Sequence, residues 1–318
     1  MLLKISKLSS FFLIKQKSIM IFKLQKNEKQ KSKKYLFMRM RLAVRKKMLI
    51  KHDFHIHTNL SLCADKSASL DMYVSKAKEL SLDKIAITNH VWDNTVCKWE
   101  HIEDGKREFY TVQNVDYILT AKDEIKKYYS DDLEILFGCE AEYCFEKRKP
   151  AISVEAAEQM DVLLVPNSHT HLAMPKSFYE PHKKHIEFMV EAFMNTVNSD
   201  VAKYVTAIPH PFMAVACPYD NRTLLNEITD DDFKRCFDAA AQKGIALELN
   251  PNFLKSKSLK EAYNDPIFRM YRIGKECGCK FTVGTDAHSE KGYDNFEKIY
   301  IMTSLLELTT EDFHPSTR

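Results

Sequence analysis

The residues of this chain that could carry out chemistry are histidines and carboxylates that recur at matching places. Each stands at or just after the end of a short apolar run that is typical of a β-strand. Neutral imidazoles and carboxylates are together the ligands that zinc, manganese and iron use in proteins. The pattern therefore predicts a metal centre with the candidate ligands His55, His57, His90, Glu140, His169, His210, Asp286 and His288.

The number of these groups indicates more than one metal ion. His55 and His57 are two residues apart, so on an extended chain both side chains point to the same face. A single histidine after a strand is more often structural, but that explanation does not account for six strand ends that each deliver a ligand. Eight groups exceed what one ion can bind, so we expect two or three divalent ions (Zn, Mn or Fe) that share bridging carboxylates.

Seven apolar runs are predicted to be the strands that position the ligands. They are Asp53–His57, Lys84–Thr88, Ile135–Cys139, Val162–Pro166, Val205–Pro209, Ala246–Leu249 and Phe281–Gly284. Amphipathic stretches between the strands predict helices, for example at Leu70–Leu80, Val112–Tyr129, His185–Val197 and Asp231–Lys243. Thr229 precedes three aspartates as a predicted N-cap, and Gly244 and Gly278 are predicted C-caps.

Strands that alternate with helices imply parallel βαβ units in an α/β fold. Seven such units in about 270 residues favour a closed (β/α) barrel, and a doubly wound open sheet is the alternative. In a parallel barrel the carboxyl ends of all strands meet at one mouth, where active sites lie. The predicted barrel would therefore bring the eight candidate ligands together.

The composition excludes two kinds of nucleotide site. The chain has only seven glycines, none before Gly105, so neither a dinucleotide fingerprint nor a P-loop can be written anywhere. No apolar run approaches the roughly 18 residues that a membrane span needs. The eight cysteines form no C-x-x-C pair, and we expect all of them to be reduced thiols in a cytoplasmic protein.

Charge divides the chain into two parts. Residues 1–47 carry fifteen Lys or Arg and one acid, whereas the remainder has a net charge of −11. We interpret residues 1–47 as a basic, disordered or non-native extension, with a signal peptide or a tail for membrane or nucleic acid as alternatives. The working domain is predicted to span residues 48–318. Its acidity argues against binding to nucleic acid, and nothing indicates an oligomeric state.

Six segments resemble, in order, the motifs of the PHP (polymerase and histidinol phosphatase) superfamily. They are DFHIHTNLS, AITNH, GCEAEY, SHTH, IPHP and GTDAHS, and the resemblance extends from Met48 to the C-terminus. The length and the GCEAEY segment are most similar to the stand-alone histidinol-phosphatase branch. The resemblance implies the PHP fold, a distorted seven-stranded TIM-like barrel with three metal ions.

Carried over to this chain, the resemblance implies a specific set of ligands. One ion would be held by His55, His57, Glu140 and Asp286, a second by Glu140, His169 and His210, and a third by His90 and His288. A water that bridges two ions would lose its proton near neutral pH and attack a small phosphate ester. The expected catalytic residues are Glu140, Asp286 and His288, and histidinol phosphate is the first choice of substrate.

Cationic side chains are also expected to bind the remaining phosphate oxygens. Arg222, Lys176, Lys255 and Arg269 are candidates, although each is more often an ordinary surface charge.

Two positions depart from the family pattern. Asn89 stands where the family usually has an aspartate, and we expect it to orient His90 as a partner behind the metal. Cys63 stands eight residues after His55, where the stand-alone phosphatases often have a further histidine. Cys63 is either a ligand of the third ion or a packed structural cysteine, and Asp65 is the nearby substitute.

Two other functions compete with the phosphatase. An amidohydrolase-like enzyme that cleaves a C–N bond also begins with H-x-H. Such enzymes, however, typically bridge their metals with a modified lysine and end on a lone aspartate. A non-catalytic, metal-stabilised PHP module that supports a polymerase would need a partner domain. The charge of the domain disfavours a nuclease.

Overall fold

Ten short strands, most of them buried, form the framework of the protein. The computed structural model describes residues 50–98, 107–128, 132–215, 217–255 and 259–317, and the predictions for residues 1–47 lie outside these ranges. The strands are β1 (His52–Ile56), β2 (Lys84–Ile87), β3 (His90–Val91), β4 (Glu134–Ala141), β5 (Tyr143–Cys144), β6 (Lys149–Pro150), β7 (Val162–Leu164), β8 (Val205–Ile208), β9 (Ala246–Leu249) and β10 (Phe281–Val283).

Seven of the strands form one parallel ring. Their order is β1, β2, β4, β7, β8, β9 and β10, and β3 adds to the carboxyl end of β4. The ring closes just beyond the strands: Asp286 donates its backbone N–H to the His55 carbonyl at 2.8 Å, and His57 donates to Ala287 at 2.9 Å. Register shifts between β1 and β2 and between β7 and β8 make the ring irregular. The predicted distorted seven-stranded (β/α) barrel is confirmed.

Helices connect the strands around this ring. They are α1 (Leu70–Leu80), α2 (Arg107–Val112), α3 (Val115–Ile125), α4 (Val154–Ala157), α5 (Thr170–Ala173), α6 (His182–Val197), α7 (Asn221–Glu227), α8 (Asp230–Lys243), α9 (Leu259–Asn264), α10 (Pro266–Glu276) and α11 (Lys298–Leu305). Among the described residues, none of the helices has the length and apolarity needed to cross a bilayer.

The helix ends follow local chemistry. Thr229 accepts the Asp232 N–H at 3.1 Å and so caps α8, and Gly244 ends that helix with φ of +74°, as predicted. The single helix predicted over Val112–Tyr129 is wrong. Asn114 has an extended backbone and caps α3 by accepting the Tyr117 N–H at 3.0 Å, so one helix ends before it and another begins after it.

The apolar residues of the strands divide between two faces. Ile85 and Ile87 belong to the large core under the helices, whereas Ala86 between them packs in a small cluster with residues of other strands. That cluster is Phe54, Ala86, Val162, Leu164, Ala207 and Ala246, with Leu136 against it. Because alternate side chains point to opposite faces of a strand, the small cluster fills the barrel interior below the mouth.

Two cysteines depart from the sequence prediction. Cys97 and Cys144 form a disulfide, so the expectation that all eight cysteines are reduced thiols is wrong for this pair. The six other cysteines, all in the described part of the chain, are free. The bridge joins the segment after β3 to β5, and these segments meet because β3 pairs with β4 through His90 and Glu140. That proximity depends on strand pairing and has no signal in the 47-residue spacing.

Candidate metal centre

The eight predicted ligands lie at the carboxyl end of the barrel. Glu140 is the last residue but one of β4, and His210 and Asp286 follow β8 and β10 within three residues. Six of the eight side chains are buried, and those of Asp286 and His288 are 20% and 30% exposed. His55 Nε2 lies 3.4 Å from both Glu140 Oε2 and Asp286 Oδ1. The barrel mouth therefore brings together residues from across the whole domain.

Glu140 is at the centre of this cluster. Five imidazole nitrogens surround its carboxylate: Oε2 faces His90 Nδ1 at 3.1 Å and Nε2 of His55 and His57 at 3.4 Å, and Oε1 faces Nε2 of His210 at 3.3 Å and of His169 at 3.5 Å. Two ligands of one tetrahedral zinc ion, each about 2.0–2.1 Å from the metal, are about 3.3 Å apart. The spacing is therefore that of atoms which share metal ions.

Several of these atoms are buried and have no hydrogen-bond partner in the described part of the chain. They are both carboxylate oxygens of Glu140 and Nε2 of His210. An unpaired buried carboxylate is costly, and buried polar groups are normally satisfied. Divalent cations between the carboxylate and the surrounding imidazoles would satisfy all three atoms at once. The residues present therefore fit metal ions.

The ligand atoms form one continuous cluster. Four groups of three have all their ligand atoms within 4.8 Å of one another: His55, His57 and Asp286; His55, Glu140 and His210; His90, Glu140 and His169; and His57, His90 and His288. Glu140 belongs to two groups, and three histidines are also shared. This sharing agrees with the expectation that several ions lie side by side.

Neighbouring histidines keep the carboxylates of Glu140 and Asp286 ionised. Burial opposes the ionisation of Glu140, but His169, His55 and His90 hold its pKa well below the usual range. The pKa of Asp286 is likewise lowered, because His55 and His57 outweigh the effect of its burial. Burial, together with the neighbouring imidazoles of His288 and His90, holds the pKa of His57 well below its usual value. His57 is therefore neutral and has a lone pair for a metal.

A further layer of polar groups holds the histidine rings from behind. Each of five Nδ1 atoms has a partner: His55 with Glu248 at 2.7 Å, His57 with Ser61 at 3.2 Å, His169 with Glu142 at 3.0 Å, His210 with Ser168 at 2.7 Å, and His288 with the Asp286 carbonyl at 2.9 Å. A proton on Nδ1 leaves the Nε2 lone pair for a metal.

Sequence reasoning missed Glu142 and Glu248 as members of this layer. The only available signal was a charged residue inside a buried apolar run, as in ALEL around Glu248.

Asn89 contacts the turn after β1 and is linked to His90 through Ser61. Its Oδ1 accepts the Thr58 N–H at 2.8 Å and the Ser61 hydroxyl at 3.0 Å, so it fixes the turn after β1. Ser61 in turn accepts the backbone N–H of His90 at 3.3 Å and faces Nδ1 of His57. Asn89 therefore reaches His90 through Ser61 rather than directly, and its oxygen also supports the loop that holds His57.

Cys63 lies beside the cluster. Its Sγ is 3.1 Å from Nε2 of His288. Desolvation of the sulfur opposes its ionisation, but hydrogen bonds with His288 and His90 lower its pKa to about 6. Asp65, the alternative ligand, is exposed, and its Oδ1 accepts the N–H and the hydroxyl of Ser67 at 2.8 and 2.7 Å. The geometry favours Cys63 over Asp65 as the group that approaches His288.

Two of the four candidate phosphate-binding cations have structural roles. Arg222 Nε donates to Asp265 at 3.1 Å, and Arg269 donates to the carbonyls of Leu225 and Ile228 at the end of α7. These contacts link helices, which favours the interpretation of both arginines as ordinary structural charges. Lys176 and Lys255 are exposed and stay predictions.

The barrel and its buried histidine–carboxylate cluster define a (β/α) barrel protein whose strand carboxyl ends carry residues that fit divalent metal ions. The model of the PHP domain matches residues 53–252, which is more than half of the chain. The chain belongs to the PHP family, as the order of its motifs predicted. No curated protein sequence matches it.

Two solved structures share the fold. One is a Listeria monocytogenes protein provisionally identified as the histidinol phosphatase hisK, with 16% identity and a TM-score of 0.57. The match covers 77% of this chain and 100% of that one. The other is the histidinol phosphate phosphatase of Lactococcus lactis in complex with zinc, L-histidinol and phosphate. It has 17% identity and a TM-score of 0.50, over 80% of this chain and 93% of that one.

Proposed function

We propose that this protein is a metal-dependent phosphatase that hydrolyses a small phosphomonoester. The observation that carries the proposal is the position of Glu140, whose unpaired, buried oxygens face five imidazole nitrogens at 3.1–3.5 Å. Membership of the PHP family supports it. The cofactors would be two or three divalent ions, Zn, Mn or Fe.

The proposed ligands are divided among three ions. His55, His57, Glu140 and Asp286 would hold the first, Glu140, His169 and His210 the second, and His90 and His288 the third. Cys63 is proposed as a further ligand of the third ion, beside His288. Glu140 would bridge the first two ions. The short distances from both of its oxygens to histidines on different strands support this role.

When bound, the ions supply the positive charge that activates water as a nucleophile and neutralises the phosphoryl oxygens. The chain's own residues decide where the substrate enters. The side chains of His55, His57 and Glu140 are fully buried, whereas those of Asp286 and His288 are partly exposed. The phosphate group would therefore approach from the side of Asp286 and His288. Glu140, Asp286 and His288 are the proposed catalytic residues.

Histidinol phosphate is the first substrate to test. The Lactococcus lactis relative was crystallised with L-histidinol and phosphate, which supports this choice. We propose no nucleic-acid or membrane partner. A cytoplasmic location also stays a proposal. The expectation of reduced cysteines was one reason for it, and the Cys97–Cys144 disulfide removes that reason.

The test compares the purified protein before and after chelation. Stripped protein receives Zn²⁺, Mn²⁺ or Fe²⁺, and phosphate release is measured with histidinol phosphate, nucleotide monophosphates and aryl phosphates. A parallel assay with cyclic amides and deaminable heterocycles covers the C–N hydrolase alternative. Metal-restored phosphate release is expected. Cleavage of C–N bonds without phosphate release, or metal binding without any turnover, would replace the proposal by one of the two alternatives.

A further inference from the structure

Strand β9 is the strand of the ring that provides no predicted ligand, yet it carries a buried carboxylate behind the cluster. Glu248 is 1% exposed. Its Oε2 lies 2.7 Å from Nδ1 of His55, and its Oε1 accepts the backbone N–H of His210 at 3.2 Å and the side-chain N–H of Asn250 at 3.1 Å. One side chain therefore contacts two proposed ligands, His55 in β1 and His210 after β8.

We propose that Glu248 is the positioning residue that sets His55 and His210 on the two ions that Glu140 would bridge. The inference rests on the proposed metal centre and extends it to a residue that does not itself bind metal. His55, Glu140 and His210 form one of the groups whose ligand atoms lie within 4.8 Å of one another. Glu248 contacts both histidines of that group.

The contact with His55 determines which nitrogen can bind metal. Since Glu248 is an acceptor at 2.7 Å, it favours a proton on Nδ1 of His55. Nε2 then carries the lone pair, and this atom faces Glu140 and Asp286 at 3.4 Å. A carboxylate behind a histidine in this way also makes the imidazole a stronger base and fixes its ring orientation.

The contact with His210 holds an unusual backbone. His210 has φ of +28°, in the left-handed region that residues with a Cβ rarely adopt. The hydrogen bond from its N–H to Glu248 is one of the contacts that hold this conformation, and Ser168 holds Nδ1 of the ring at 2.7 Å. Loss of the carboxylate would allow the backbone to relax and move Nε2 away from Glu140.

The fold leaves room for this arrangement at Gly284. A Cβ at that position would lie 2.2 Å from Oε2 of Glu248 and 2.5 Å from Cβ of His55. No side chain fits there without separating the two groups. The glycine of the GTDAHS motif is thereby explained by the Glu248–His55 contact, rather than by its own backbone conformation.

The chemistry of Glu248 suggests an isosteric test. Three N–H donors converge on its two oxygens, from His55, His210 and Asn250. Glutamine has the same shape but only one acceptor oxygen, and its NH₂ group would face at least one of these donors. Glu248→Gln therefore removes the positioning contact without creating a cavity. Glu142→Gln is the matched comparison, since Glu142 is equally buried and contacts His169 and His90 instead of His55 and His210.

The experiment measures zinc binding to full-length wild-type, Glu248→Gln and Glu142→Gln proteins by chelator competition, with metal content by mass spectrometry. Glu248→Gln should weaken the binding of the first and second ions by about 10- to 100-fold. Combined with His210→Ala, the Glu248→Gln change should lose its effect on the second ion and keep its effect on the first, which it exerts through His55. Combined with His169→Ala, it should keep its full effect, because Glu248 does not touch His169.

Thermal unfolding separates positioning from a purely structural role. A structural role would lower the melting temperature of the metal-free and the zinc-loaded proteins equally, which would overturn the inference. Positioning instead reduces the increase in melting temperature that zinc produces. Unchanged zinc affinity in Glu248→Gln would also overturn it, while wild-type binding and phosphate release would leave the proposed function intact. A wild-type protein that binds no zinc would overturn both.

Discussion

Cys63 and His288 face each other at the barrel mouth, with Sγ of Cys63 3.1 Å from Nε2 of His288. The two residues are 225 positions apart and meet because the chain closes the barrel between β1 and β10. A thiol that stands beside an imidazole at this distance is placed to share a metal ion with it. The contact agrees with the predicted location of Cys63 and makes its role as a ligand testable.

We expect Cys63→Ser to lose about one ion while the fold stays intact, because the hydroxyl is a poor substitute for thiolate. Cys63→His should restore the ion, since histidine is the residue that the stand-alone phosphatases often have at this position. Metal analysis and circular dichroism of the purified variants check this. An unchanged metal content in Cys63→Ser would show that the cysteine only packs at the mouth. Cys217→Ser, at a partly buried free cysteine, is the control.

Glu140→Gln should lose nearly all phosphatase turnover, by a factor on the order of 10³. The amide is neutral, so it removes charge at the point where five imidazoles converge. Steady-state kinetics with added zinc or manganese measure the loss. Glu134→Gln is the matched control, because Glu134 lies in the same strand but its side chain is 56% exposed. Retained activity in Glu140→Gln would rule out the shared carboxylate.

Cys97→Ser should lower the free energy of unfolding by about 2–4 kcal/mol, since the bridge closes a loop of 47 residues in the unfolded chain. Urea unfolding with and without dithiothreitol is the measurement. The reductant should lower the stability of the wild-type protein to that of Cys97→Ser and leave the variant unchanged. Cys277→Ser, at a free cysteine, should keep the sensitivity of the wild type to reductant. Equal stability of wild-type and Cys97→Ser proteins would mean that the bridge does not form in solution.

His52 should make the stability depend on pH. It is buried at the amino end of β1, where its Nε2 accepts the Val283 N–H at 2.9 Å, so the folded protein needs it neutral. Burial, with smaller effects of Lys84 and His314, lowers its pKa to about 3. The unfolded chain takes up a proton below about pH 6.5, and the folded state does so only near pH 3. The contribution of neutral His52 to the free energy of unfolding is therefore present above pH 6.5 and is lost as the pH falls toward 3.

Between pH 7 and pH 5, protonation of this one residue in the unfolded chain should lower the free energy of unfolding by up to about 2 kcal/mol. Urea unfolding of the wild type and of His52→Gln at both pH values isolates it, since the glutamine oxygen can accept the same hydrogen bond without titrating. A pH dependence identical in the two proteins would show that His52 is not responsible.

Removal of residues 1–47 should leave the free energy of unfolding within about 1 kcal/mol of its original value. The segment has a strongly basic composition and no periodic apolar face that could be buried. A chain that starts at Met48 should bind the same amount of metal and unfold at nearly the same urea concentration. A large loss of stability would show that the segment packs on the barrel.

The amino-acid sequence by itself determined the strands of the barrel and the order of its candidate ligands. Each apolar run predicts a strand from local composition, and each ligand lies near the end of such a run or within a few residues after it. The predicted Lys84–Thr88 and Ala246–Leu249 differ from the observed strands by no more than one residue. Parallel topology then requires the strand ends to meet, which places the groups together without knowledge of any specific contact.

Tertiary structure alone decided which polar groups support the ligands. Glu248 and His55 are 193 residues apart, and a glutamate in an apolar strand does not reveal which histidine it will face. The same holds for the Cys97–Cys144 bridge and for Arg222, whose partner Asp265 lies on another helix. Such pairs depend on strand register and helix placement, which arise from packing over the whole barrel. The local sequence therefore does not predict which residues form these pairs.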